Sequence, residues 1–317
     1  MENIQNFDRK EPMAGKDKRV SLATKKRKKL IFYCAMMALP VLQFVFFYFY
    51  VNFNSFVLAF QKLDLVGGSG YEFAGMENFT TIFKEVDWGV LIENSMLLFI
   101  VMLAFGTVGA VMFSYYIYKK NPGHSIFKII LYSPHIISTV VFALLYNYFI
   151  DKAIPAIVGD PNMQPPMNNM NFVQTGTIIF NVWVSFGTQV LMYSGAMSGI
   201  SESVIESGQL DGITPMKELC FIVLPSIWST FVTFLIMRVM GIFTEQASLF
   251  SFYGADAPAH VQTLGYYLYA KVQAGASKGS VADYNELSAM GMTLTVIAVP
   301  VTLAARYCLN KFGPKTE

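Results

Sequence analysis

Six segments of the chain are long and apolar enough to cross a lipid bilayer as helices. They cover approximately residues 30–52, 95–118, 126–150, 176–198, 225–250 and 287–309. A transmembrane helix needs about 20 mostly apolar residues, and these segments are too long for strands. Only 14% of the 317 residues are charged, compared with about 25% in a soluble domain. The sequence therefore predicts an all-α, polytopic membrane protein with six transmembrane helices.

The distribution of basic residues predicts the orientation of these helices. Ten of the 23 Lys and Arg residues lie within residues 1–29, which we expect to form a disordered cytoplasmic tail. With the N-terminus inside, 17 of the 23 lie on the inner side and five on the outer side. Because cytoplasmic loops of membrane proteins are rich in Lys and Arg, we predict a multi-pass protein of the cell membrane with both termini cytoplasmic. Residues 30–312 then form the membrane domain, and residues 313–317 form a C-terminal tail.

The sequence has none of the common motifs for catalysis or metal binding. There is no G-x-x-x-x-G-K-[ST] loop, no H-E-x-x-H and no G-x-S-x-G. The three cysteines and the three histidines are too scattered for a disulfide framework or a local metal cluster. We therefore expect that this chain is not an enzyme and that it binds no metal, cofactor or nucleic acid.

The inner segment 199–225 has the pattern of a folded bracket. Apolar and acidic residues across 202–210 predict a short helix, and Asp211-Gly212 predicts a turn because glycine readily adopts a positive φ. Pro215 suits the first turn of a second helix. Since acidic residues outnumber the single lysine of this segment, the bracket is suited to docking a soluble partner.

This segment resembles the cytoplasmic loop of permease subunits of binding-protein-dependent ABC importers, in the carbohydrate group that includes maltose-type and glycerol-phosphate-type permeases. That loop has Glu-Ala-Ala, then Asp-Gly-Ala, and then Ile-x-Leu-Pro. At the matching places the chain has Glu206-Ser207-Gly208, Asp211-Gly212-Ile213 and Ile222-Val223-Leu224-Pro225. The likeness extends over about residues 30–312, with further matching phrases at 71–79, 93–95 and 181–183.

The resemblance implies a type I ABC importer permease fold and a set of partners. A second, related permease, two cytoplasmic ABC ATPase subunits and an extracellular solute-binding protein would complete the complex. The ATPases, and not this chain, would use ATP and Mg²⁺. The chain would then pass a carbohydrate, in particular an oligosaccharide, into the cytoplasm by alternating access. The implied ATPase-coupling residues are Glu206, Ser207, Gly208, Asp211, Gly212, Leu224 and Pro225.

Polar residues within the fourth and fifth apolar segments are candidates for the substrate path. A charge at the bilayer centre costs about 2.5–3.5 kcal/mol on insertion scales, so Arg238 and Glu245 are not expected to face lipid. A polar stripe in the fourth segment could bind sugar hydroxyls or could bond helices to each other. In the fourth segment this stripe consists of Asn181, Ser185 and Thr188, which lie at i, i+4 and i+7 on one helix face. By the resemblance, the candidate path residues of the fifth segment are Arg238, Gly241, Ile242 and Glu245.

Other functions stay open from the residues alone. An importer of the same kind could carry a non-sugar or a charged solute. A secondary transporter would need no ATPase, but it predicts inverted repeats with broken half-helices, and the sequence has no matching pair of halves. Arg238 could also form a structural ion pair.

Overall fold

A computed structural model describes residues 22–64, 70–159, 165–278 and 283–314. The chain divides into two compact units, residues 1–55 and 56–317. Helix α1 begins as Leu22–Gln43, continues as the π-helical segment Phe44–Tyr50 and ends as Val51–Ala59. Residues 22–29, which we predicted to belong to a disordered tail, are therefore helical. This stretch contains no Gly or Pro, and Lys and Arg are good helix formers; residues 1–21 lie outside the described part of the chain.

The first predicted outer segment is structured over its described residues, 53–64 and 70–94. A hairpin of β1 (Gln61–Asp64) and antiparallel β2 (Gly70–Phe73) is followed by helix α2 (Glu77–Glu85). The buried Asn78 side chain donates hydrogen bonds to the carbonyls of Ala59 and Gln61, at 2.9 and 2.8 Å. These bonds hold α2 to the chain that enters the hairpin.

The next four helices form the centre of the second unit. Helix α3 consists of Trp88–Val101, the π-helical Met102–Thr107 and Val108–Tyr118. It is followed by α4 (His124–Ile136), α5 (Thr139–Val158) and α6 (Met170–Met197). The predicted single helix over 126–150 is wrong, because the chain becomes extended at Ile137 and Ser138. Pro134 lies inside the last turn of α4, where its ring disfavours a regular helix; Ser138 is the N-cap residue of α5 but makes no side-chain capping bond.

The remaining helices surround a sharp bend. Helix α7 is Glu202–Leu210, and α8 runs through Pro215–Glu218, the π-helical Leu219–Val223 and Leu224–Ser226. Helix α9 (Trp228–Thr244) leaves α8 at an angle of 82°. The chain continues with α10 (Leu249–Tyr253), the short 3-10 helix Ala259–Val261, α11 (Leu264–Lys278) and α12 (Asp283–Phe312). The predicted fifth helix, 225–250, is therefore interrupted at both of its ends.

Helices long and apolar enough to span a membrane can be counted for the described residues. Four qualify, at Lys26–Ala59, Trp88–Tyr118, Thr139–Val158 and Tyr284–Phe312, and the bent pair Pro215–Ser226 with Trp228–Thr244 would be a fifth. The predicted fourth span lies in α6, which is 28 residues long but does not meet the same hydropathy criterion. The all-α membrane architecture is thus confirmed, and six spans are compatible with it.

A buried apolar cluster fixes the bracket to the helix bundle. Val190, Tyr193 and Met197 of α6 pack with Leu219 and Val223 of α8, and each is less than 7% exposed. Burying such side chains contributes about 1.5–3 kcal/mol each relative to leaving them exposed. The bracket is consequently part of the core of the second unit.

Candidate functional site

The turn of the bracket is a helix C-terminal motif built on glycine. Gly212 has φ = +74°. Its N–H donates to the Gln209 carbonyl at 3.0 Å, and the Ile213 N–H donates to the Gly208 carbonyl at 3.2 Å. These two bonds define a Schellman motif, in which the residue after the helix adopts a left-handed conformation. The turn predicted at Asp211-Gly212 is confirmed, and its geometry fixes the direction in which α8 leaves α7.

The second glycine of the bracket lies where α7 meets α8. A Cβ at Gly208 would be 2.5 Å from Ile222 Cδ1 and 3.5 Å from Ile213 Cγ2. Helix α7 nevertheless keeps nine residues. Glycine at this position, where the resembling loops have alanine, therefore allows the π-helical part of α8 to pack closely on α7.

The outer surface of the bracket combines acidic and apolar side chains. Glu206, Ser207 and Asp211 are exposed. Large apolar side chains beside them are exposed as well, namely Val204, Leu210, Met216 and Phe221. Leu224 and Pro225 lie partly buried in the last part of α8, next to the bend. The sequence motif pointed to the acidic residues, but it did not identify the exposed Leu210 and Phe221, which no polar pattern marks.

One acidic residue of the bracket has a different role. Glu218 is 2% exposed, and its Oε1 lies 2.6 Å from Nζ of Lys119, at the end of α3. A buried carboxylate requires such a partner, because an unpaired buried charge is strongly unfavourable. Glu218 therefore ties α8 to α3 and does not contribute to the exposed acidic surface.

Most of the candidate path residues line one cavity of about 420 Å³. The cavity lies between α3, the α4–α5 junction, α6, α9 and the turn that follows α9. Its lining includes five of the seven candidates, which are Asn181, Ser185, Thr188, Arg238 and Glu245. Gly241 and Ile242 are not among the lining residues. Further polar groups of the lining come from His135, Thr139, Gln189 and Ser248. No sequence motif indicated His135, because its neighbours in the cavity belong to other helices.

Arg238 and Glu245 line the same cavity without forming an ion pair. Among the described residues, no carboxylate oxygen lies within 4.0 Å of the Arg238 guanidinium. The Arg238 guanidinium instead meets the buried Gln189. With its amide oxygen turned toward Arg238, Gln189 accepts from Nε at 3.2 Å and also from Nη2. The alternative of a structural Arg238–Glu245 ion pair is therefore not supported.

The prediction that Glu245 lies within the fifth membrane helix, 225–250, is wrong. Helix α9 ends at Thr244, and Glu245 is extended with φ = −75° and ψ = 128°. Gly265 of α11 packs against this point, where a Cβ would be 2.8 Å from the Glu245 carbonyl oxygen. Thr263 Oγ1 donates to the same carbonyl at 2.7 Å. A contact with residues about twenty positions away in the sequence thus ends α9, and it leaves the Glu245 side chain exposed at the rim of the cavity.

Asn181 braces the turn at the rim. Its Nδ2 donates to the carbonyls of Thr177 and Ala247, both at 2.7 Å, and its Oδ1 accepts from Ser248 Oγ at 2.8 Å. Ala247 and Ser248 have φ values of 52° and 54°, a left-handed conformation that is unfavourable for residues with a Cβ. The hydrogen-bonding capacity of Asn181 is therefore used within the protein. Of the alternatives for the polar stripe, interhelical hydrogen bonding describes this residue.

The other two polar residues of the stripe have fewer interhelical bonds. Ser185 Oγ donates to the Val182 carbonyl of its own helix at 2.8 Å. Thr188 Oγ1 lies 3.1 Å from Nε2 of His135. These two hydroxyl groups and the His135 ring all line the cavity, so they are available for polar contacts with a solute.

We expect Asn181→Asp to destabilise the protein by about 1–3 kcal/mol, the cost of leaving buried hydrogen-bonding groups unpaired. The substitution keeps the shape and the acceptor for Ser248 but removes both donors. The measurement is the thermal unfolding midpoint of the purified protein in detergent. Ser185→Ala is the control, because its only hydrogen bond in the structure is to its own helix. Equal midpoints for the two variants would contradict the bracing role.

Comparisons with known proteins agree with this architecture. Residues 118–316 match the family model described as "Binding-protein-dependent transport system inner membrane component". The arabinooligosaccharides transport system permease protein AraP of Bacillus subtilis is 24% identical over 277 residues, which cover 83% of each chain. The polygalacturonan/rhamnogalacturonan transport system permease protein YteP of the same organism is 22% identical and covers 91% of this chain and 92% of YteP.

A solved structure has the same fold. It is that of a bacterial ABC transporter involved in the import of the acidic polysaccharide alginate. The TM-score is 0.74 at 21% identity, and the match covers 92% of this chain and 99% of the other. The family match covers more than half of this chain. The matched residues include the bracket and the parts of α6 and α9 that line the cavity. The chain therefore belongs to the family of binding-protein-dependent transport system inner membrane components, and it is a membrane permease subunit of an ABC transport system rather than an enzyme.

Proposed function

We propose that the chain passes an oligosaccharide from an extracellular solute-binding protein into the cytoplasm by alternating access. The observation that carries this proposal is the polar cavity between α6 and α9. Its volume of about 420 Å³ is within the range of about 300–1,000 Å³ that small-molecule sites have. The hydroxyl, imidazole, amide and carboxylate groups of its lining can bond to sugar hydroxyls. The names of AraP and YteP, both oligo- or polysaccharide permeases, support the same class of solute.

The candidate path of this proposal consists of Ser185, Thr188, Arg238 and Glu245, with Asn181 holding the rim in place. Gly241 and Ile242 do not line the cavity in this structure. We propose that they line the path in another conformation, because a rotation of α9 would bring different side chains to the cavity. Alternating access requires such rearrangement of packed helices around a binding site.

The bracket, in this proposal, docks a separate ABC ATPase. Its support is the exposed surface around Glu206 and Asp211, where acidic groups stand beside large apolar side chains. The Schellman turn at Gly212 and the close contact at Gly208 make the bracket rigid enough to transmit movement to α9. Two such ATPases would bind and hydrolyse ATP with Mg²⁺, and this chain would bind no cofactor. A second, related permease would complete the membrane part as a heterodimer.

The proposed orientation places the bracket in the cytoplasm together with both termini. The bundle end that carries the bracket also carries Lys119, Lys120 and Lys128. This arrangement follows the enrichment of Lys and Arg in cytoplasmic loops. It also puts the docking surface on the side of the membrane where ATP is available.

The proposal is tested by purifying the tagged chain from the membranes of its own cells and reconstituting the complex in liposomes. We expect ATPase subunits and a second permease to co-purify. We also expect that a binding protein loaded with oligosaccharide raises ATP hydrolysis several-fold over the empty binding protein. Uptake of oligosaccharide by the chain without any ATPase, driven by an ion gradient, would instead indicate a secondary transporter.

A further inference from the structure

We propose that Arg238 binds a carboxylate of the transported solute, so that the cargo is an acidic oligosaccharide. This inference rests on the proposed function. It is carried by the geometry of the Arg238 guanidinium within the cavity, and it assigns to the site a substrate class that the likeness to carbohydrate permeases leaves open.

The guanidinium is a half-buried cation without an anionic partner. Arg238 projects from the middle of α9 into the cavity. In the described part of the chain, no carboxylate lies within 4.0 Å of it. A cation in the membrane interior is unfavourable unless a partner or water compensates it. A negatively charged group of the solute would supply the missing partner when the solute enters.

Gln189 holds the guanidinium and leaves one of its edges free. The amide oxygen of Gln189 accepts from Nε and Nη2, which together form the side edge of the fork. The outer edge, formed by Nη1 and the second hydrogen of Nη2, has no acceptor among the described residues. Two parallel N–H groups at this spacing match the two oxygens of a carboxylate, and such charge-assisted bonds are about twice as strong as neutral ones.

A glycine lies close to the guanidinium on the side of α3. A Cβ built on Gly106, in the π-helical part of α3, would be 3.7 Å from Arg238 Nη2 and 3.4 Å from Ser185 Oγ, which is ordinary van der Waals contact. Glycine at this position therefore keeps a side chain of α3 away from the guanidinium. Gln189 of α6 and Arg238 of α9 form the proposed anion site.

The cavity is asymmetric in charge. Glu245 lies seven residues after Arg238, just beyond the end of α9, and its side chain is exposed at the rim of the cavity. Seven residues correspond to a rise of about 10 Å along a helix axis. A carboxylate accepts hydrogen bonds from hydroxyls but repels another carboxylate. The site therefore favours a saccharide whose acidic group lies at Arg238 and whose hydroxyls lie at Glu245.

The test measures binding of defined trisaccharides to the purified complex of permeases and ATPases without its binding protein. The probes are trigalacturonate and trimannuronate, each compared with its carboxyl-reduced counterpart. In the wild-type complex we expect at least one acidic probe to bind about tenfold or more tightly than its reduced counterpart. The readout is this ratio of affinities, because Arg238 lines the cavity and its replacement can also change binding of the reduced probe. Arg238→Gln should bring the ratio close to one, and Arg238→Lys should keep part of it.

Glu245→Gln separates solute recognition from a structural role. If Arg238 binds the solute, Glu245→Gln should increase the preference for the acidic probe over its reduced counterpart, because it removes a charge that repels the acidic probe alone. If the two charges only stabilise the fold together, both variants should weaken binding of every probe, which would overturn the inference. A wild-type complex that prefers the reduced probes, or binds none of the four, would overturn it as well. Stimulation of ATP hydrolysis by a loaded binding protein would still stand as separate support for oligosaccharide transport.

Discussion

Replacing Glu206 with Lys is expected to leave the chain in the membrane and to abolish the co-purification of ATPase subunits with it. Glu206 is exposed on α7, and its neighbour Ile205 is buried in the core that anchors the bracket. The substitution should therefore change the docking surface without unfolding it. Close charge pairs across protein interfaces have coupling energies of about 1.5–7 kcal/mol, so a reversed charge at such a pair should weaken docking at least tenfold.

The measurement is the amount of ATPase retained on the tagged permease, followed by ATP hydrolysis of the reconstituted complex. Glu72→Lys is a matched control, since it makes the same change of charge at an exposed position on strand β2, away from the bracket. Glu206→Gln should give an intermediate loss, because it removes the attraction without adding repulsion. Full retention of ATPase and normal stimulated hydrolysis in Glu206→Lys would exclude Glu206 from the docking surface.

The sequence predicted those features of the fold that depend on local pattern. Long apolar segments identified the membrane helices, and the last predicted span, 287–309, lies within α12. The positive-φ turn at Gly212 followed from one Asp-Gly pair. These features depend on neighbours within a few residues, so the local sequence pattern is sufficient to predict them.

Features that depend on distant contacts were not predictable in the same way. Helix α9 ends at Thr244 because Gly265 of α11 packs against it, although the apolar pattern continues to residue 250. The outer hairpin, β1 and β2, is fixed partly by the bonds from Asn78 of α2. In each case the deciding partner lies on another element, and its position follows only from the assembled fold.

The candidate site shows the same division. Helical spacing placed Asn181, Ser185 and Thr188 on one face, and the structure puts them along one cavity. Their different uses were not visible, because Asn181 bonds to a left-handed turn 66 residues away. The contact between Arg238 and the neutral Gln189 was not predicted, because it joins side chains of two different helices.

Gly212→Val is expected to disrupt docking through the backbone and not through crowding. No heavy atom lies within 4 Å of a Cβ built on Gly212, but its φ is +74°. A left-handed conformation costs residues with a Cβ about 1–2 kcal/mol, and it is least tolerated by β-branched side chains. The Schellman bonds from Gly212 and Ile213 should then be lost or distorted, which would redirect α8 relative to α7.

Two variants turn this expectation into a test of the backbone alone. Gly212→Asn should retain most ATPase docking, because asparagine adopts the left-handed conformation more readily than other residues with a side chain. Ser207→Ala should have no effect on docking, since Ser207 is exposed on the same helix and alanine is the better helix former. Docking is measured as ATPase retained per permease, together with the thermal unfolding midpoint of the permease. The expected order of retained ATPase is Ser207→Ala, then Gly212→Asn, then Gly212→Val, with the last reduced at least several-fold. If Gly212→Val and Ser207→Ala retain equal amounts, the left-handed turn does not determine the geometry of the bracket.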